Sequence, residues 1–140
     1  MTKKRIKKTE RIVDFKKLKD FFSQKPKEDK IVPVVVQDAR SQKILMLAYV
    51  NEEALIESLR QQKAIFWSTS RNELWFKGST SGNFLELKKV LVNCENNSLL
   101  YLVEPKGSGV CHMKNKKGEY RDSCFWRSIK LKGDKLMMGE

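Results

Sequence analysis

Among 140 residues the chain has one histidine, three cysteines and three prolines, and no apolar run long enough to cross a bilayer. A membrane span needs roughly 18 consecutive apolar residues. No apolar h-region follows the basic start at Lys3, Lys4, Arg5, Lys7 and Lys8, as a secretory leader would require. These absences read as a soluble, cytoplasmic chain with no membrane partner. An odd number of cysteines in that setting argues against a disulfide framework. Internal repeats, low-complexity tracts and recognition-helix or ribonucleoprotein signatures are also missing.

What the chain does have is positive charge, +12 at neutral pH. Such a balance points to anionic partners: nucleic acid, a membrane surface or a phosphorylated small molecule. The hydrophobic content of 40% suits one domain with a real core. Residues 1–30 read as a basic N-terminal arm, a short amphipathic helix from about Glu10 to Phe22, and a linker holding Pro26. Residues 31–128 form the main domain, and 129–140 a C-terminal tail.

Within the main domain, Ile31 to Asp38 is apolar on both parities, which predicts a strand covered on both faces. Ser41-Gln42 turns it into a partner from Lys43 to Val50, making a hairpin. Asn51 is a good N-cap, Glu52 and Glu53 complement the positive helix end, and Ala54, Leu55, Ile56 and Leu59 carry a helix to about Gln61. Phe84 to Val92 and Ser98 to Glu104 predict two more strands joined by an Asn93 to Asn97 turn. The class is α+β, with an antiparallel-rich sheet and few helices.

Ile65 to Gly82 organises the chemistry. Two short apolar runs are interleaved with hydroxyls, cations and glycine, the parts from which anion pockets are built: freed backbone N–H groups, hydroxyl donors and Arg or Lys. The candidate substrate-binding residues are Trp67, Ser68, Ser70, Arg71, Lys77, Ser79, Thr80, Ser81 and Gly82. Cys94, Cys111 and Cys124 all fall in loop positions, which suits zinc, although their spacing is not that of a finger. His112 adjoins Cys111, and neighbouring residues rarely ligate one tetrahedral ion together. It is therefore the candidate catalytic group, moving protons near neutral pH.

From about Ile31 to Arg127, VPVVVQDARSQKILMLAYVNEEAL, FWSTSRNELWFKGSTSG, the 93–97 turn, Val110-Cys111-His112 and Ser123-Cys124-Phe125 follow one another in an order that resembles the phosphoribosyl-AMP cyclohydrolase family of histidine biosynthesis. The resemblance makes residues 31–128 a cyclohydrolase-like domain and implies hydrolytic opening of the adenine ring at N1–C6. It also implies an intertwined homodimer, in which Cys94 of one chain joins Cys111 and Cys124 of the other around zinc. The phosphorylated nucleotide substrate would account for the basic pocket. Zinc would lower the pKa of a bound water so that hydroxide attacks C6, while His112 moves the protons.

Two departures stand out. Where the family carries three alternating aspartates that hold magnesium, this chain has Asn93, Glu95 and Asn97, which predicts weak or substrate-assisted binding of that ion. Between Cys111 and Cys124, Met113 replaces a threonine and extra residues appear, among them Lys114, Lys116, Lys117 and Arg121. A zinc-stabilised RNA- or DNA-binding module with exposed Trp67, Trp75 and Trp126 is the rival reading. A cyclohydrolase fold whose activity is lost or altered because of the changed magnesium turn is another.

Overall fold

A computed structural model describes residues 31–132 and 135–139, so the expected arm, helix and linker of residues 1–30 lie outside the described residues. Strands β1 (Val32–Asp38) and β2 (Ile44–Val50) form the expected antiparallel hairpin, with Val34 opposite Ala48. At its turn the Asp38 carboxylate accepts the N–H groups of Arg40 at 2.8 Å and Ser41 at 3.3 Å.

Helix α1 (Glu52–Gln61) starts where the Asn51 side-chain oxygen accepts the Ala54 N–H at 2.8 Å, and ends at Gln62 in the left-handed conformation. A second hairpin follows, β3 (Ile65–Ser68) and β4 (Glu73–Phe76). Then come β5 (Leu85–Val92) and β6 (Leu99–Pro105), antiparallel to each other. Residues 128–132 and 135–139, most of the segment read as a tail, pair as hairpin β7 (Ser128–Lys132) and β8 (Lys135–Gly139).

The main sheet has the order β2-β1-β6-β5. Two of its ladders are antiparallel, but β1 and β6 run parallel, Val34 beside Leu99 and Asp38 beside Val103. The sheet is therefore mixed. The two hairpins were legible because their partners are close in sequence. Pairing β1 with β6 joins residues far apart, and no local pattern encodes it.

One face of this sheet carries the core. Val32, Val34, Val36, Ala48, Val50, Tyr101 and Val103 are buried together with Leu55 of α1 and Phe66 of β3. The Phe66 ring lies 6.1 Å from Tyr101 and 5.4 Å from Trp75, within the range of favourable aromatic pairs. Ser58, fully buried on α1, accepts the Ile65 N–H at 2.9 Å and lies 2.7 Å from the Ala54 carbonyl, tying helix to hairpin.

The opposite face differs from the expectation of full cover. Leu47, Tyr49 and Leu91 are 47%, 43% and 39% exposed, and their cross-strand neighbours Val35, Pro33 and Leu100 are only half-buried. Among the described residues α1 and the β3–β4 hairpin cover a single face, and an apolar sheet surface stays open. Among the described residues no helix is long and apolar enough to cross a membrane.

Candidate active site

Three chain segments meet beyond the end of β4. The first is the turn from Phe76 to Gly82, closed by the Ser79 N–H donating to the Phe76 carbonyl at 3.1 Å and the Gly82 N–H to the Gly78 carbonyl at 2.8 Å. Gly78 sits at φ +86°, and a Cβ there would fall 2.5 Å from the Phe84 nitrogen, so only glycine permits this turn.

The second segment is the glycine-rich loop before Cys111. Buried Asn83 anchors it: its side-chain oxygen accepts the Ser108 N–H at 2.9 Å, while its own N–H donates to the Ser81 hydroxyl at 3.1 Å. Ser123-Cys124 is the third, held against the start of β2 by the Ser123 hydroxyl donating to the Ile44 carbonyl at 2.8 Å and the Cys124 N–H to the Leu45 carbonyl at 2.7 Å.

The first two, with Tyr120, line a cavity of about 310 Å³. Lys77, Ser79, Thr80, Ser81, Cys111 and His112, all candidate site residues, line it; so do Trp75, Phe76, Gly78, Asn83, Val110 and Tyr120. Lys77 is fixed by donating to the Val110 carbonyl at 2.5 Å. Burial pushes the Lys77 ammonium down from its ordinary value, opposed by Cys124 and Cys111 nearby. Partial burial first, then Cys111 beside it, pushes the Cys124 thiol up to about 11, with Lys77 acting the other way. The Met113 N–H donates to the Cys111 sulfur at 3.4 Å.

Trp67, Ser68, Ser70, Arg71 and Gly82 do not line this cavity. Ile65 pairs with Phe76 at the cavity end of the β3–β4 hairpin, whereas Ser68 pairs with Glu73 at the other. There Ser68 and Ser70 hydroxyls lie 3.3 Å apart and Arg71 pairs with Glu73 at 3.7 Å. Trp67 packs half-buried against the core.

Cys94 is also elsewhere. Its turn follows Val92, which pairs with Leu99 beside Val34, while Cys124 is bonded at Leu45, near the far end of β1. No three metal-binding side chains cluster among the described residues. The adjacent Cys111 and Cys124 sulfurs, with a backbone N–H directed at one of them, fit a soft cation but supply only two donors.

The 93–97 turn does not fit magnesium. Asn93 donates its side-chain amide to the Asn97 oxygen at 2.6 Å, and Asn97 donates to the Glu95 carboxylate at 3.3 Å. The Asn93 oxygen already accepts the N–H groups of Asn97 at 2.9 Å and Ser98 at 3.0 Å. Both amide oxygens and one oxygen of the Glu95 carboxylate already accept hydrogen bonds, and the set carries one formal charge.

Residues 46–126 match the phosphoribosyl-AMP cyclohydrolase family. The chain belongs to this family. A phosphoribosyl-AMP cyclohydrolase of Archaeoglobus fulgidus is 44% identical over 109 residues, 78% of this chain and 93% of that protein. The cyclohydrolase of Chloroherpeton thalassium is 44% identical over 99 residues, 71% of this chain, and the chain spans 66% of that relative's length. A bifunctional histidine biosynthesis protein of Thermus thermophilus is 44% identical over 108 residues, 77% of this chain and 47% of that protein. The stretch matched to the cyclohydrolase family holds the whole cavity lining and all three cysteines.

Sequence reasoning missed Asn83 and Tyr120 of this cavity. Asn83 follows a glycine and looks like any turn residue; only its burial against Ser108 gives it a role. Tyr120 lies between Cys111 and Cys124, and nothing in its neighbours Glu119 and Arg121 signals a pocket wall.

Proposed function

We propose that this chain opens the adenine ring of phosphoribosyl-AMP by hydrolysis of the N1–C6 bond, as a cytoplasmic enzyme of histidine biosynthesis. The observation that carries the reading is one cavity bringing together a hydroxyl-lined glycine turn, a half-buried lysine, a buried thiol and the chain's only histidine. Lys77 and the hydroxyls of Ser79, Thr80 and Ser81 hold the substrate's phosphate, with the Val110 carbonyl keeping the ammonium in position. Trp75, Phe76 and Val110 supply the apolar part of the cavity wall.

His112 takes the proton from water as its oxygen bonds to C6, and returns a proton to N1 as the N1–C6 bond breaks. Zinc, held by Cys111 and Cys124 of one subunit and Cys94 of a second copy, supplies when bound a Lewis acid that makes water acidic near neutral pH. Two copies associate through the open apolar face around Leu47, Tyr49 and Leu91, a grouping of exposed apolar side chains that suits an interface between copies. Magnesium arrives with the substrate phosphates and is not a resident of the 93–97 turn.

A nucleic-acid module fits less well. Trp67 and Trp75 are half-buried against the core, and the Trp126 ring already has the Arg121 guanidinium 3.6 Å and that of Arg127 5.1 Å from its centroid. Turnover of purified protein on phosphoribosyl-AMP, followed by the absorbance change of ring opening with metal content assayed on the same sample, tests the proposal. A zinc-loaded dimer that leaves the substrate intact would refute it.

A further inference from the structure

The added segment between Cys111 and Cys124 is a built part of the molecule. It folds back as a tongue: Lys114 bridges Tyr120, the Asn115 N–H donates to the Glu119 carbonyl at 2.8 Å, and the Gly118 N–H donates to the Asn115 carbonyl at 3.0 Å. The Asn115 side-chain oxygen accepts the N–H groups of Lys117 at 2.9 Å and Glu119 at 3.0 Å, so the tip is organised by its own asparagine.

Its base is tied into the cavity wall. The N–H groups of Val110 and Cys111 both donate to the Arg121 carbonyl at 2.9 Å, and the Arg121 N–H donates to the Met113 carbonyl at 3.1 Å. Gly109 is the seat for this attachment. A Cβ at Gly109 would fall 2.6 Å from the Tyr120 Cβ and 2.7 Å from its carbonyl oxygen, so the missing side chain is what lets Tyr120 close against the loop. Tyr120 thereby lines the cavity that also holds Lys77 and His112. Lys114 lies over its ring, the ammonium 4.9 Å from the centroid.

We propose that Tyr120 is a nucleotide-contacting residue of this site, its ring forming a wall for the substrate's heterocycle, with the tongue as the device that delivers it. An aromatic ring is a platform on which a flat purine can stack, and the phosphate-binding groups occupy the glycine turn of the same cavity. The tip lysines, Lys116 and Lys117, are exposed and lie outside the cavity lining. This inference rests on the cyclohydrolase reading for the identity of the nucleotide, but not for the contact itself.

Two measurements separate the contact from the reading: KM and kcat on phosphoribosyl-AMP, and calorimetric binding of adenosine 5′-monophosphate to the zinc-loaded full chain. Tyr120→Ala is expected to weaken nucleotide binding and raise KM by about tenfold or more, as loss of one base–aromatic contact does, with a smaller effect on kcat. Tyr120→Phe should stay near the unmodified chain, because the ring and not the hydroxyl makes the contact. Should the alanine variant fail to fold, Tyr120→Leu, which keeps bulk without aromaticity, decides in its place. Lys117→Ala is the control and should leave both measurements unchanged. Unmodified chain that turns over substrate, together with a folded Tyr120→Leu variant whose KM and nucleotide affinity are within twofold of it, overturns the inference and leaves the reaction standing. Unmodified chain that binds adenosine 5′-monophosphate through Tyr120 yet leaves phosphoribosyl-AMP intact supports the contact and overturns the reaction.

Discussion

Replacing Asn93 and Asn97 together by aspartate should turn a turn that holds itself together into one that needs a cation. In the unmodified chain two side-chain amides act as internal donors, Asn93 to Asn97 at 2.6 Å and Asn97 to Glu95 at 3.3 Å. The double substitution removes both donors and brings three carboxylates into the same small space. At about 4 Å, each of the three like-charge pairs costs about 1 kcal/mol in bulk water and about 4 at an effective dielectric of about 20; the exposure of this turn favours the lower figure. The bonds that the Asn93 oxygen accepts from the Asn97 and Ser98 N–H groups survive, since a carboxylate accepts as well as an amide does. The metal-free variant should therefore lose about 2–3 kcal/mol at low salt, less as salt screens the repulsion. Its thermal midpoint should fall by several degrees and recover with millimolar magnesium, while the unmodified chain responds weakly. The assay is a thermal melt of substrate-free protein across a magnesium titration, with calorimetry in parallel. Micromolar magnesium binding to the unmodified chain, or equal magnesium sensitivity in both proteins, would refute the reasoning.

Mixing a Cys94→Ser chain with a Cys111→Ser chain should restore turnover and zinc to one of the two sites in each hybrid dimer, although each variant alone binds little zinc; full-affinity zinc in the Cys94→Ser protein alone would count against a shared site. His112→Ala should keep the zinc and the oligomeric state while cutting kcat by about 10²-fold or more, measured by the ring-opening assay. Ser58→Ala should leave the Ile65 N–H without its buried partner and lower unfolding stability by about 1–3 kcal/mol in a denaturant titration, with no change in KM.

The elements that rest on neighbouring residues were legible from the chain alone. Asn51 caps α1 as its position foretells, the β1–β2 hairpin and the 93–97 turn fall where apolar pattern and turn residues put them, and the glycine-hydroxyl turn after Lys77 faces the candidate site. Such features depend on backbone preference and side-chain type over a few residues, which sequence records directly. Three matters were decided only in three dimensions. Parallel pairing of β1 with β6 joins distant segments and sets which loops share an end of the sheet. The same geometry keeps Cys111 and Cys124 together and Cys94 apart, and divides the predicted substrate-binding residues between the cavity and the distant tip of β3–β4. Finally, whether Asn93 and Asn97 would offer oxygens outward or hydrogens to one another depended on torsion angles that composition does not contain, and the fold turned their donors inward.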